Sequence, residues 1–308
     1  MTRLLFYTDL QLSGKTPRHR VDDYQGALIS KLEEVYDIAR GEQCAFVVFG
    51  GDFFNGHRMY RYDMLNRSMD AICDSGLDTY AIIGQHDIKG YNAETFQTST
   101  LAFMDHHCEA FHVLWEPAVV GDVKLWPSHV WDDLDTSKKD QMDPDKINVL
   151  VAHHLLTKKS LPYNAHMTSD FAVGCPFSVV MSGDLHSGFD PHEHDGVWFV
   201  NPGSLARQSI DEVGRMPRVA IVDLYPKREP KILYSPLRCA GKGEDVFGES
   251  AAEVARSGID KDDFDPSAVV EGLEQLEAES VDVHDLVQKV GQQKQIRPEV
   301  LAYLDAKR

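Results

Sequence analysis

Short apolar runs that end in a polar or glycine residue recur along roughly the first 235 residues of the chain. The runs "RLLFYTD", "AFVVFGGD", "DTYAIIG", "INVLVAHH", "FSVVMSGD", "GVWFVNPG" and "RVAIVDLY" are rich in Val, Ile, Phe and Leu, and their length and β-branched content predict strands. Helical spacing lies between them. "YQGALISKLEEVYDIAR" carries Leu28, Leu32, Val35 and Ile38 three and four residues apart, and "YDMLNRSMDAICDSG" carries Met64, Met69 and Ile72 and stops at Gly76. The alternation predicts an α/β fold. Several of the strands end directly in Asp, His or Gly, which is where open α/β sheets place their ligands.

A last strand, "EPKILYSPL", precedes a change of composition. Residues 241–265 are rich in Gly, Glu and Asp, and Asp265-Pro266 then supplies an N-cap followed by proline at a first helical position. Val269, Val270, Leu273 and Leu276 form one apolar stripe, Val283, Leu286, Val287 and Val290 a second, and Val300, Leu301 and Leu304 a third after Pro298. These predict small amphipathic helices that either pack back on the domain or cap it and dock a partner. The expected organisation is a catalytic domain over 1–240 and an acidic linker and helical segment over 241–308.

With 43% hydrophobic and 26% charged residues in 308, the composition is that of a folded globular chain. The longest apolar runs fall far short of the roughly 20 residues a bilayer span needs, and "MTRLLFYTDL" lacks a signal peptide's apolar core and cleavage site. A soluble protein that stays in the cytoplasm, without membrane association, is the expectation. Cys44, Cys73, Cys108, Cys175 and Cys239 form an odd, widely spaced set with no C-x-x-C pair, so they are expected to be reduced and mostly buried.

Forty-nine acids against 31 bases leave a net charge of −18. Taken alone, that argues against a nucleic-acid partner, because phosphate contact wants a basic surface. The charge is unevenly spread. Residues 241–308 hold 16 acids and 8 bases, so the tail is the denser acidic region.

Five motifs at strand ends carry the candidate chemistry: "TDLQ" (Asp9, Gln11), "GGDFFNG" (Asp52), "GQHD" (Gln85, His86, Asp87), "VAHH" (His153, His154) and "SGDLH" (Asp184, His186). Any one of them is more often a turn or a helix cap. Five in order suit a dinuclear site for divalent metals, in which a shared carboxylate bridges two ions that activate water and clamp a phosphate.

This ordered set resembles the calcineurin-like metallophosphoesterases over roughly residues 1–240, which implies a two-sheet αββα sandwich followed here by the small acidic helical segment. Within that family, "NPGSLAR" (Asn201 to Arg207) and "TPRHRVDDY" (Thr16 to Tyr24) are similar to the nuclease subunit of SbcCD-type DNA repair complexes, particularly phage-encoded versions. The resemblance implies that Asp9, Gln11, Asp52 and His186 surround one metal and that Asp52, Gln85, His153 and Asp184 surround the other, with Asp52 as the bridge. It implies that His86, steered by Asp87, stabilises the transition state or protonates the leaving oxygen. His154 falls on the opposite side of the strand from His153 and would support the site from behind. The implied partners are DNA, an SbcC-type coiled-coil ATPase and a second copy of the chain.

Three positions depart from the family pattern: Gln11 and Asp184 stand where it has histidine, and Gln85 stands where it has asparagine. Each still offers an oxygen. Fewer nitrogens and more hard oxygen donors shift the expected cofactor to two Mn²⁺ ions, or Mg²⁺, and away from zinc or iron. The alternative is a degenerate relative that binds nucleic acid or a partner without cleaving.

The loops after these strand ends are locally basic despite the global charge, with Lys15, Arg18 and Arg20, then Arg58, Arg61 and Arg67, then Lys158 and Lys159, and last Arg207. Tyr24, Phe53, Phe54, Tyr60 and Tyr62 are interleaved with them. Together they favour a polymeric phosphodiester, with Arg18, Arg20, Arg58, Arg61 and Arg207 as backbone contacts. Three classes stay open at this point: a DNA nuclease, a small-molecule or cyclic-nucleotide phosphodiesterase, and a weak binding subunit. His106 and His107 are read as a helix end or a turn, and His192 and His194 as a hairpin tip whose turn is Asp195-Gly196.

Overall fold

A computed structural model describes residues 1–134, 140–160 and 165–248. The amphipathic helices expected beyond Asp265 lie outside the described residues.

Two six-stranded sheets face each other. In the first the order is β14-β13-β1-β2-β3-β4, built from β1 (Thr2–Tyr7), β2 (Phe46–Phe49), β3 (Thr79–Ala81), β4 (Phe111–Val113), β13 (Arg218–Leu224) and β14 (Lys231–Pro236). In the second it is β11-β12-β10-β7-β6-β5, built from β5 (Ala118–Val120), β6 (Val123–Ser128), β7 (Ile147–Ala152), β10 (Val179–Ser182), β11 (Phe189–His194) and β12 (Val197–Asn201). A small parallel pair, β8 (Leu156–Thr157) and β9 (His166–Met167), stands apart from them.

The central strands are apolar along their whole length because both of their faces are covered. On β1, Leu4 and Phe6 join Phe46, Val48, Val149, Val151 and Met181 in the layer between the sheets. Leu5 and Tyr7, one residue out of phase, point the other way and pack with Leu28, Leu32 and Val35 of α1 (Tyr24–Gly41) and with Met64 and Ile72 of α2 (Tyr62–Cys73). Asp23 starts α1 by accepting the Gly26 amide hydrogen at 3.1 Å. On the outer face of the second sheet, Leu150, Val180 and Phe199 pack with Phe171 of α4 (Thr168–Ala172). The result is the expected αββα sandwich.

β1, β2, β3 and β4 are mutually parallel, as are β6, β7, β10 and β12, so the C-terminal ends within each set open on one rim. The hairpin expected at Asp195-Gly196 joins β11 to β12, with both turn residues at positive φ. His106 and His107 end α3 (Thr100–His107).

The cysteine expectation needs a correction. Cys73, at the end of α2, is joined to Cys108, just past α3, with Cα atoms 6.4 Å apart. Helix packing brings together two residues whose spacing of 35 carries no pairing signal.

Candidate metal centre

Each strand end reaches the centre through a sharp change of backbone direction. Asp9, Gln11, Asp52 and Asp184 have φ of 51, 46, 59 and 68°, the left-handed region that costs most side chains about 1–2 kcal/mol. The segments after β1 and β2 then run side by side. The Asp9 amide donates to Gly51 O at 3.1 Å and the Gln11 amide to Asp52 O at 3.0 Å. Gly51, at φ +95°, lies where a Cβ would enter the His153 ring, so only glycine lets that imidazole approach.

The convergence is tight. Asp9, Asp52 and His153, all fully buried, each place one ligand atom within 4.8 Å of the others. His153 Nε2 lies 3.5 Å from Asp52 Oδ2, and His186 Nε2 lies 3.6 Å from Asp9 Oδ1. Gly50 O sits 2.6 Å from His153 Nδ1, an acceptor that keeps a ring hydrogen on Nδ1 and leaves Nε2 as the atom that faces Asp52 and would give up its proton to a cation.

Among the described residues five buried polar atoms of the centre have no hydrogen-bond partner: Asp9 Oδ1, Gln11 Oε1, Asp52 Oδ2, Gln85 Oε1 and His153 Nε2. All five are able to donate a lone pair when the His153 ring is neutral. Leaving them unsatisfied costs free energy, and divalent cations satisfy such a set at once, so the residues present fit a metal centre. The two glutamines use their amide nitrogens on the neighbouring ligand positions. Gln11 Nε2 is 2.9 Å from His186 Nε2, and Gln85 Nε2 donates to Asp184 Oδ1 at 2.9 Å.

The electrostatics match this geometry. Burial pushes the Asp9 carboxyl up to about 6, against the pull of His153 and His186. Burial also works to raise Asp52, but the imidazoles of His153 and His86 hold it below the usual carboxylate range. His153 rises well above an ordinary histidine because Asp52, Asp9 and Asp184 outweigh the burial that opposes its charge.

Several other positions differ from expectation. Asp87 does not steer the His86 ring. Its Oδ2 accepts the Asp52 and Gly84 amide hydrogens and its Oδ1 accepts those of Phe53 and Phe54, at 2.9 to 3.2 Å. The side chain therefore clamps two loops. His86 is 41% exposed at its side chain, with Nε2 3.8 Å from Asp52 Oδ2. His154 Nε2 is 3.0 Å from Ser128 Oγ, and burial lowers its pKa to about 4.

Arg20 and Arg207 are not substrate contacts. The Arg20 side chain is wholly buried, bonded to Asp22 and to Arg207 O, while Arg207 is 1% exposed and donates to Arg215 O and Gly241 O. They knit together segments distant in sequence. Tyr24, Phe53 and Phe54 are core. Arg18, Arg58 and Arg61 are exposed, and Arg61 pairs with Asp63. His192 lies away from the centre, 3.0 Å from Thr168 Oγ1.

Two supporting residues escaped the sequence reading. Thr8 Oγ1 donates to Asp9 Oδ2 at 2.7 Å, and Ser204 Oγ donates to Asp9 O at 2.9 Å. A hydroxyl directly before the first carboxylate was the available signal for Thr8. Ser204 lies within the "NPGSLAR" stretch, but nothing in that stretch pointed to a bond with Asp9.

The pattern that describes calcineurin-like phosphoesterases matches residues 2–188. The chain belongs to this family. It is thus a metallophosphoesterase by descent, and its buried triad is positioned as a metal site. One solved structure overlays the phosphoesterase with a TM-score of 0.51 at 15% identity, covering 76% of this chain and 98% of its own. A dimetal phosphatase from Danio rerio overlays at 0.48 and 11% identity, covering 76% and 95%, and a predicted phosphoesterase from Streptococcus pneumoniae at 0.33 and 13%, covering 76% and 98%. At such identities the likeness concerns the fold alone. No curated protein matches the phosphoesterase. Among the described residues no helix is long and apolar enough to cross a membrane.

Proposed function

We propose that this metallophosphoesterase hydrolyses DNA phosphodiesters, as the nuclease subunit of an SbcCD-type complex. The observation that carries the polymeric substrate is a groove of about 720 Å³ beside the centre, lined by Lys15, Arg58, Tyr60 and Arg61 together with Leu12 and Asn55. Leu12 follows Gln11 directly, and its amide bonds to Phe53, the residue after Asp52. Tyr60 is 74% exposed and neighbouring Tyr62 is 69% exposed. Cations and the exposed Tyr60 ring along one groove suit a backbone with a base to stack.

Asp9, Gln11, Asp52 and His186 would hold one ion, and Asp52, Gln85, His153 and Asp184 the second, with Mn²⁺ or Mg²⁺ favoured by the oxygen-rich set. Bound divalent ions supply Lewis-acid stabilisation of phosphoryl oxygens and a lowered pKa for water. The chain's own residues do the rest. Asp87 and Thr8 fix the carboxylates, the buried walls keep bulk water from them, and the half-exposed His86 imidazole delivers a proton to the leaving oxygen. The ATPase partner and the homodimer rest on the resemblance alone.

Competition tests the reading. With Mn²⁺ present, linear DNA should inhibit hydrolysis of a chromogenic diester and itself be cut, and both effects should vanish in Asp52→Asn. A small-diester enzyme would turn over the chromogenic ester with DNA neither competing nor degraded.

A further inference from the structure

On the side of the centre away from the basic groove, three aromatic rings share one cavity. The strands next outward from β3 and β7 are β4 and β6, each parallel to its neighbour. Their C-terminal ends therefore open on the same rim as Asp52 and His153. Trp115 follows β4, while His129 and Trp131 follow β6, and the three line a cavity of about 450 Å³ whose edge carries Glu116 and Asp133.

The rings are arranged as a platform. Trp115 and Trp131 have centroids 6.3 Å apart and planes within 28°, and His129 lies 4.8 Å from Trp131 at 30°. Trp115 is 47% exposed, steadied at its edge by Phe96. His129 is 4% exposed, and its Nδ1 accepts the Ile83 amide hydrogen at 3.1 Å. The neutral ring therefore carries its hydrogen on Nε2, and that buried donor neighbours the Leu114 carbonyl without well-formed hydrogen-bond geometry among the described residues. The cavity shares a wall with the metal centre, because Ile83 directly precedes the Gly84-Gln85-His86 turn and its carbonyl accepts the Val130 amide hydrogen at 3.2 Å.

We propose that this cavity receives a nucleobase of the substrate, beside the phosphate held at the metal centre. The inference rests on the reading of the protein as a hydrolase of nucleic-acid diesters. Flat indole faces take a flat ring, and the His129 ring beside Trp131 extends that platform. Glu116 and Asp133 repel phosphate and accept from an exocyclic amine, so the base enters and the phosphate stays at the centre. Adenine, cytosine and guanine fit that rim better than thymine.

The test compares two p-nitrophenyl diesters, one of deoxyadenosine 5′-phosphate and one of ethyl phosphate. Trp115→Ala and Trp131→Ala should each raise KM for the nucleoside ester by about ten-fold with kcat within two-fold, and leave the ethyl ester unchanged. Trp131→Phe should recover most of the loss. Deoxyadenosine should quench the tryptophan fluorescence of the metal-free protein, and less so in the half-exposed Trp115→Ala, which carries the test if Trp131→Ala does not fold. Equal losses on both esters, no change on either, or quenching by choline as strong as by deoxyadenosine would overturn the proposal. DNA that fails to compete while the nucleoside ester keeps its tryptophan-dependent KM would remove the nuclease reading and leave the pocket. DNA that competes undiminished in both tryptophan variants would remove the pocket and leave the nuclease.

Discussion

Four amide hydrogens converge on Asp87, and through it the turns bearing Asp52 and Gly84 are tied together. Asparagine there would keep the shape but offer a single accepting oxygen and set an NH₂ against two amide donors. Asp87→Asn should lower the unfolding free energy by about 2–4 kcal/mol and weaken metal binding with every ligand intact. An unchanged urea midpoint would contradict the clamp. Lys31 has a different problem. It is 1% exposed, donates to Leu205 O at 2.7 Å, and burial followed by the charges of Arg207, Arg20 and Arg215 lowers its pKa from 10.5 to about 7. Between those values the unfolded chain binds more protons than the folded one, so this residue's contribution to stability rises with pH across that window. The slope is at most about 1.4 kcal/mol per pH unit. The stability difference between wild type and Lys31→Met should therefore climb from pH 7 to pH 10 and stay level below pH 6 in guanidinium titrations. A difference that does not change with pH would mean the buried amine stays charged.

Strands β1, β2 and β10 share a device: each hands its chain to the centre through a residue in the left-handed region. The turn reverses the side chain toward the neighbouring sheet, which a straight continuation of the strand would not do. β3 uses close approach instead. A Cβ on Gly84 would collide with Asp52 Oδ1 and stand 2.6 Å from the Asp52 amide nitrogen. No positive φ is involved, so Gly84→Ala changes space alone. The variant should fold, as judged by circular dichroism, yet lose about 100-fold in diester hydrolysis because the Asp52 carboxylate is displaced. Activity within three-fold of wild type would show that Asp52 has room to spare.

Closing two sheets over one another concentrates three carboxylates, Asp9, Asp52 and Asp184, at one rim. Without a cation, that arrangement works against folding, and a bound ion should reverse the sign. Mn²⁺ at a hundred times its dissociation constant should add about 2.7 kcal/mol to the unfolding free energy, and EDTA should remove the gain. Asp52→Asn should abolish the metal increment, whereas Asp9→Asn, which removes the carboxyl that burial pushes up to about 6, should raise the melting temperature of the metal-free protein at pH 7. A metal-free form as stable with Asp9 as with asparagine would show that the buried carboxylate carries no penalty. The global charge of −18 divides accordingly, with part of it at this rim, where ions neutralise it, and a basic groove beside it.

Much of this was legible in the order of residues. Apolar runs with polar ends marked β1, β2, β3, β7, β10, β12, β13 and β14, and three- and four-residue spacing marked α1 and α2, because periodicity is a local property. The strand-end motifs named the residues that gather at the centre for the same reason. β4 and β5 are only three residues long and, unlike the equally short β3, do not sit in a longer apolar run. The side-chain partners were out of reach. Asp87 turned to amides 33 to 35 residues away, Arg20 to a carbonyl 187 residues away, and His129 to the amide of Ile83, 46 residues back. Sequence by itself determined which segments are strands and which polar groups sit at their ends. Only the folded sandwich decided which of those groups face a shared centre, which are consumed inside the protein, and which aromatic rings meet beside it, since hydrogen bonding and burial depend on what lies across the gap between sheets.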